Sequence, residues 1–185
     1  MNFLFNKDSH FNLANIVTFF NIASGVFAIY FLTHDEFLAA ALFAWLAGGF
    51  DIFDGKIARK YNLSTQFGIQ LDSYADFLSF VIVPAMFIYF AVIDGKELFI
   101  NMAFVAFVFI YYVVSGLRRL IQFNIDADEG EVEKYFTGIP TPLGAILLWV
   151  VYLIFLTGYI NEYFVLSMVV VVGYLLNSKI KIKHL

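Results

Sequence analysis

The stretch DIFDGKIARKYNLSTQFGIQLDSYAD, residues 51–76, decides how this chain is interpreted. It places four carboxylates in segments whose other residues are typical of membrane spans: Asp51, Asp54, Asp72 and Asp76. A carboxylate at membrane depth costs several kcal/mol unless its charge is offset, so these residues predict a functional site. Because four neighbouring carboxylates repel one another, a divalent cation is the natural partner that would let them coexist.

The composition indicates an integral membrane protein. Hydrophobic residues make up 62% of the chain and charged residues 14%, whereas soluble domains are about half apolar and about a quarter charged. A net charge of −4 gives no indication of a nucleic-acid partner, and the absence of cysteine excludes disulfides and thiolate chemistry. The membrane lipids are therefore the expected surroundings.

The apolar segments predict an all-α polytopic membrane protein with six transmembrane helices. A span needs about 20 mostly apolar residues, and the last two segments are short by this measure. The predicted spans are 13–32, 37–58, 67–93, 98–120, 142–156 and 163–176.

The basic residues predict the orientation in the membrane. Ten of the eleven Lys and Arg residues fall on one side, in both termini and in the connectors after spans two and four, whereas Lys96 falls on the other. The positive-inside rule makes the basic side cytoplasmic, and an even number of spans also puts both termini there. The aspartates would then lie at the cytoplasmic face of the cell membrane.

No linker or clear repeat divides the chain, so we expect one membrane domain over residues 1–185. It would comprise a cytoplasmic juxtamembrane segment (1–11), a six-helix bundle (12–178) and a basic cytoplasmic tail (179–185).

Helical spacing groups the aspartates in pairs. If the second and third spans are helical, Asp51 and Asp54 share one face with Ala58, and Asp72 and Asp76 share a face of the next helix. The polar connector between these spans permits a turn, so the two pairs would face each other. This arrangement suits one or two hard cations held by oxygen ligands.

The same region offers space and positive charge. Gly55, Ala58 and Gly68 would let a helix or a bulky substrate approach the backbone closely. A divalent-cation site of this kind suits a lipid that carries a pyrophosphate, because such cations neutralise the charge of the leaving group. Arg118 and Arg119 could hold the remaining phosphate or carboxylate charge.

The spacing of these residues resembles a family signature. The pattern Asp51-x2-Asp54-Gly55-x2-Ala58-Arg59-x8-Gly68-x3-Asp72-x3-Asp76 is similar, at all eight fixed positions, to that of the CDP-alcohol phosphotransferases. The resemblance implies a six-helix membrane enzyme, usually a homodimer. Such an enzyme transfers the phosphate-bearing group of a CDP-linked donor to an acceptor hydroxyl and releases CMP.

The resemblance also implies roles for individual residues. The four aspartates would ligate two divalent ions, Mg²⁺ or Mn²⁺ with Ca²⁺ as an alternative, and Asp76 would also be the general base. Gly55 and Ala58 would make room for the nucleotide, and Arg59 would help to hold the anionic groups of the substrate.

Segments outside the signature resemble the CDP-diacylglycerol–serine O-phosphatidyltransferases. Residues 14–29 are similar to their first helix, with Asn15 and Thr18 retained, and residues 115–124 to an arginine-containing segment in which one arginine is replaced here. YFTGIPTPLGA, residues 135–145, resembles their Phe-x-Gly-Leu-Pro-x-Pro motif. The resemblance implies L-serine as acceptor and CDP-diacylglycerol or CDP-archaeol as donor.

Two alternatives remain at this point. Glycerol phosphate and inositol phosphate would also need arginines, so charge alone does not distinguish serine transfer from phosphatidylglycerophosphate or inositol-phosphate phospholipid synthesis. A cation transporter, a different class of protein, also uses intramembrane carboxylates. Transport sites usually lie near the membrane midplane, however, and these aspartates cluster at one end of their spans.

Overall fold

Long apolar runs form the helices of the computed structural model, which describes residues 3–7, 9–128, 135–178 and 181–183. The α-helices are α1 (Leu13–Leu32), α2 (Phe37–Lys60), α3 (Gln66–Asp76), α4 (Val83–Ile88), α5 (Met102–Asp128), α6 (Thr141–Leu156) and α7 (Glu162–Leu176). A short 3₁₀ turn, Phe3–Phe5, precedes them. Two π-helical segments, Phe77–Ile82 and Tyr89–Ile93, flank α4, so helical structure runs through Gln66–Ile93.

Side-chain caps explain where three of these helices begin. Asn12 caps α1, Thr65 caps α3 and Asn161 caps α7, each by accepting a 3.0 Å hydrogen bond from the backbone N–H three residues later. Such caps satisfy an amide that has no partner inside the helix. The predicted starts of the first, third and sixth spans lie within one residue of the observed ones and are confirmed.

The fourth predicted segment, 98–120, is displaced from the observed helix. Phe99 N donates to the Tyr163 hydroxyl at 3.0 Å, and Asn101 Oδ1 accepts from Ala103 N at 2.8 Å, so α5 begins only after these residues. The helix then continues to Asp128 because residues 121–128 contain no proline or glycine that would end it.

Four helical stretches of the described chain are long and apolar enough to cross a membrane: Leu13–Leu32, Phe37–Lys60, Gln66–Ile93 and Met102–Ile125. The protein is therefore a multi-pass membrane protein. With 16 residues in α6 and 15 in α7, the last two helices are each about 24 Å long or less, shorter than the hydrocarbon core of about 30 Å. The prediction of six spans therefore stays a prediction.

A short β-ribbon was not expected from the sequence. Strand β1 (Tyr135–Thr137) pairs antiparallel with strand β2 (Lys181–Lys183), with Phe136 opposite Ile182. Part of the expected basic tail thus forms a strand. Lys134 and Lys179, which contributed to the predicted orientation, lie outside the described residues.

The chain groups into two compact units, Met1–Ser79 and Phe80–Leu185. In the first unit, α1 packs along α2 and also contacts α3. In the second unit, α7 packs against α5 and α6, and α4 contacts the same two helices. The prediction of a single domain remains a prediction.

The second unit contains a proline within its first helix. Pro84 has no N–H to donate to the Phe80 carbonyl four residues earlier, and an unsatisfied carbonyl in a membrane costs several kcal/mol. The hydroxyl of Tyr112, a fully buried residue, donates to this carbonyl at 3.4 Å. A side chain of α5 thus supplies the donor that the proline removes.

Candidate active site

Carboxylates from two helices meet in the first unit. Asp51 of α2 and Asp72 and Asp76 of α3 each offer an oxygen, and these oxygens all lie within 4.8 Å of one another. The carboxyl groups of Asp51 and Asp76 are also in hydrogen-bond contact. Carboxyl groups this close coexist when a proton or a cation lies between them. We call these three residues the carboxylate cluster.

The carboxylate cluster fits a hard divalent cation. Its donors are oxygens, which Mg²⁺, Mn²⁺ and Ca²⁺ prefer. Asp76 Oδ1 is buried and has no hydrogen-bond partner, which is costly for a carboxylate oxygen unless something else satisfies it. The cluster could therefore hold a metal ion, whereas the identity and the number of ions stay predictions.

Asp54, the fourth aspartate, has different surroundings. It is 3% exposed, and its Oδ2 accepts a 2.7 Å hydrogen bond from the hydroxyl of Thr18 on α1. Asp54 thus meets a hydroxyl of α1 and is not one of the three carboxylates whose oxygens lie within 4.8 Å of one another. Its predicted role as a metal ligand stays a prediction.

A cavity of about 190 Å³ adjoins the carboxylate cluster through Asp72. The predicted substrate-binding residues of the 51–76 stretch all line it, together with Asp54: Gly55, Ala58, Arg59 and Gly68. Helix α1 contributes Ala14, Asn15 and Thr18. The fold thus brings six of the eight signature residues around one concave space, and Asp51 and Asp76 adjoin it through Asp72.

A second, open cavity of about 590 Å³ shares Ser64, Thr65 and Ile69 with the first. Lys7 and His10 line it, and the His10 ring stacks on Phe67 with a centroid separation of 4.3 Å. The N-terminal segment was not predicted from the sequence to take part in the site. The sequence feature that could have indicated it is a lysine and a histidine shortly before the first span.

The two glycines of the cavity serve different purposes. A Cβ at Gly68 would lie 2.9 Å from Asn15 Oδ1 and 3.3 Å from Thr65 Oγ1, so this glycine permits α1 to approach α3 closely. A Cβ at Gly55 would meet only Arg59, at an ordinary 3.5 Å. Gly55 therefore leaves space that the protein itself does not fill.

A buried polar stripe runs along α1, and its first two residues line the cavity. Four residues at intervals of three, each no more than 4% exposed, form the stripe: Asn15, Thr18, Asn21 and Ser24. A regular polar spacing in an otherwise apolar span is the sequence signal that marks these residues. The sequence favours an inter-helix hydrogen bond for Asn21, and Ser79 supplies one.

The predicted substrate-binding arginines of α5 have unlike surroundings. Arg119 is 5% exposed, and its Nε donates to the Ile139 carbonyl at 3.2 Å, whereas Arg118 is exposed. Ile139 belongs to the 135–145 motif and donates its own N–H to the Leu175 carbonyl. In the second unit, Arg119 therefore holds the backbone of that motif.

Known proteins resemble the chain over most of its length. The family model for CDP-alcohol phosphatidyltransferases matches residues 11–176. The CDP-diacylglycerol–serine O-phosphatidyltransferase of Helicobacter pylori is 32% identical over 174 residues, which cover 90% of this chain and 70% of the relative.

Two further relatives come from an archaeon and from a second bacterium. The archaetidylserine synthase of Methanothermobacter thermautotrophicus is 32% identical over 171 residues, covering 91% of this chain and 68% of the relative. The CDP-diacylglycerol–serine O-phosphatidyltransferase of Bacillus subtilis is 30% identical over 169 residues, covering 91% and 88%. With six of its eight signature residues lining one cavity and a family match over 11–176, the chain belongs to the CDP-alcohol phosphatidyltransferase family.

Proposed function

We propose that this protein transfers the phosphatidyl group of a CDP-lipid to the hydroxyl of L-serine, forming a phosphatidylserine-type lipid and releasing CMP. The observation that carries the proposal is the carboxylate cluster, which Asp72 joins to a cavity lined by the family's signature residues. The names of the three relatives support serine as the acceptor. Either CDP-diacylglycerol or CDP-archaeol suits the donor role.

Asp51, Asp72 and Asp76 would hold the metal, with Asp54 as a fourth ligand. A bound divalent cation neutralises the charge of the diphosphate and of the departing CMP. In this proposal the site takes two ions, Mg²⁺ or Mn²⁺, with Ca²⁺ as the alternative. The oxygen-only donor set and the unpartnered Asp76 Oδ1 support the assignment.

Asp76 is the general base of the proposed reaction. The serine oxygen forms a bond to the lipid-bearing phosphorus, the bond from that phosphorus to the CMP phosphate oxygen breaks, and Asp76 takes the hydroxyl proton. A buried carboxylate oxygen without a donor is suited to accept this proton.

The other signature residues bind and orient the substrates. Gly55 and Ala58 leave room for the nucleotide, and Arg59, exposed where it lines the cavity, holds anionic groups of the donor. Arg118 and Arg119 are the candidate cations for the serine carboxylate. Orientation of this kind supplies a large share of the rate in two-substrate reactions.

The proposal includes a membrane arrangement. Six helices, α6 and α7 among them, span the cell membrane as one domain, with both termini and the aspartates on the cytoplasmic face, and two copies form a homodimer. The distribution of lysine and arginine supports this orientation.

An acceptor-competition assay tests the proposed function. Purified protein receives CDP-diacylglycerol or CDP-archaeol with serine, glycerol 3-phosphate or inositol phosphate, and CMP release is measured in the presence of Mg²⁺ or Mn²⁺. We expect release with serine. Release with glycerol 3-phosphate but not with serine would overturn the acceptor assignment, and cation flux across vesicles without CMP would indicate a transporter.

The role of Asp76 has its own test. Asp76→Asn keeps the size of the side chain but removes its basicity, so turnover should fall by at least about 10²- to 10⁴-fold, the usual contribution of a general base. Donor binding should be largely retained. Asp94→Asn, at an exposed aspartate in a loop, is the matched control. Wild-type turnover by Asp76→Asn would refute the assignment.

A further inference from the structure

Helix α1 also contacts the helix that carries Asp76, close to the carboxylate cluster. The Ser79 hydroxyl donates a 2.5 Å hydrogen bond to Asn21 Oδ1, and the two residues are 3% and 0% exposed. Ser79 follows Asp76 by three residues and lies in the π-helical segment that begins at Phe77. Asn21 follows Thr18 by three residues and shares its face of α1.

Asn21 and Asp76 each carry a buried polar atom that has no hydrogen-bond partner. Among the described residues, the buried side-chain atoms without a hydrogen-bond partner are Asn12 Nδ2, Asn21 Nδ2 and Asp76 Oδ1. Asn21 Nδ2 is a donor and Asp76 Oδ1 is an acceptor. A buried amide without a partner costs about 1–3 kcal/mol, so packing alone does not account for an asparagine at this place.

The backbone around Ser79 is held closely against α1. A Cβ at Gly25 would lie 3.0 Å from Leu78 Cδ2 and 3.3 Å from Ser79 Oγ, so glycine is what permits this approach. The π-helical turns begin at Phe77, directly after Asp76, and π-turns of this kind are frequent at functional sites. Contacts with α1 thus fix the turn that follows Asp76.

We infer that Asn21 is a positioning residue for Asp76, an inference that rests on the proposed function. Ser79 donates to the carbonyl oxygen of the Asn21 amide, which ties α1 to the turn that directly follows Asp76. Thr18 contacts Asp54 directly. One face of α1 therefore holds Asp54 of α2 and the turn after Asp76 of α3.

Single and double substitutions test this role. The variants Asn21→Ala and Ser79→Ala are compared with Ser24→Ala, a change at a buried hydroxyl on the same face of α1. Four quantities are measured: the Mn²⁺ affinity by calorimetry without substrate, kcat, the donor KM, and the melting temperature.

We expect both variants to weaken Mn²⁺ binding and to lower kcat by about 10- to 100-fold, as is typical when a group that orients a metal ligand is removed, with the donor KM unchanged. The double variant should lose no more than Asn21→Ala, because Ser79 acts through Asn21. Asn21→Ala could also lower the melting temperature. In that case the result for Ser79→Ala, which removes only one hydroxyl, decides whether the residues position Asp76 or only stabilise the fold.

The inference is overturned if both variants keep the Mn²⁺ affinity and kcat of Ser24→Ala, or if their losses add in the double variant. A different result would overturn the proposed function, namely an absence of CMP release by the wild-type protein. In that case the Mn²⁺ titration still shows whether Asn21 and Ser79 act on the carboxylate cluster.

Discussion

The hydroxyl of Thr18 donates a 2.7 Å hydrogen bond to Asp54 Oδ2, and both residues are 3% exposed. A helix without any acidic residue thus orients an aspartate of the family signature. Hydrogen bonds to charged groups contribute about 1.5–3 kcal/mol, and a buried carboxylate that loses its donor bears the cost of desolvation. Helix α1 is therefore part of the site and not only of its packing.

The substitution Thr18→Val tests this contact, because it keeps the shape of the side chain but removes the hydroxyl. Loss of a charge-assisted hydrogen bond should lower kcat/KM for CMP release by about 10- to 100-fold. Thr18→Ser, which keeps the donor, should retain most of the activity. Equal activity in the valine and serine variants would contradict a role for the hydrogen bond.

The two cavity glycines give a matched pair. Gly55→Ala fits the protein, since its Cβ would lie 3.5 Å from Arg59 Nη1, so we expect an unchanged melting temperature and a raised KM for the CDP-lipid. Gly68→Ala places its Cβ 2.9 Å from Asn15 Oδ1 and should affect stability as well, because α1 must shift. Gly49→Ala, with no atom within 4 Å of its Cβ, is the control. An unchanged donor KM in Gly55→Ala would show that the nucleotide does not use this space.

The helices could be predicted largely from the sequence because apolar length and capping residues are local signals. Asn12 and Asn161 mark the starts of α1 and α7, and both starts were predicted within one residue. The start of α5 was missed because residues 98–100, Leu-Phe-Ile, are as apolar as a span. What keeps these residues out of the helix is a hydrogen bond from Phe99 to Tyr163, a residue distant in sequence.

The site residues were identified from their spacing, but their grouping was not. Helical periodicity places Asp51 and Asp54 on neighbouring directions of α2, whereas the rotation of α2 against α1 and α3 decides which partner each meets. The packing of α1 against α3 and the turn after it depends in turn on contacts such as those of Gly25 and Gly68 with neighbouring side chains, which no local pattern encodes. The sequence therefore predicted the members of the site without separating Asp54 from the carboxylate cluster.

A third prediction concerns Gly138 in the 135–145 motif. Gly138 has φ +82°, and a Cβ there would collide with the Leu176 carbonyl oxygen. Gly158 has φ +78° but no atom within 4 Å of its Cβ position, so Gly158→Ala should cost only the backbone strain, about 1–2 kcal/mol. Gly138→Ala should cost about 1–3 kcal/mol more, the usual penalty of overpacking. Thermal unfolding of the two variants measures the difference, and equal melting temperatures would show that the close approach to Leu176 does not constrain the motif.

The two arginines of α5 give the last prediction, because they differ in burial although they are adjacent in sequence. Arg119→Gln removes the buried donor to the Ile139 carbonyl, so the melting temperature should fall by about 3–10 °C. Arg118 is exposed, and Arg118→Gln should leave the melting temperature unchanged. If Arg118 holds the serine carboxylate, its loss should raise the KM for serine by about 10- to 100-fold, the value of a hydrogen bond to a charged group. Thermal unfolding and serine titrations of CMP release separate these effects. A serine KM that responds only to Arg119→Gln would exclude Arg118 as the ligand of the serine carboxylate. Equal melting temperatures of the two variants would exclude Arg119 as the residue that holds the motif.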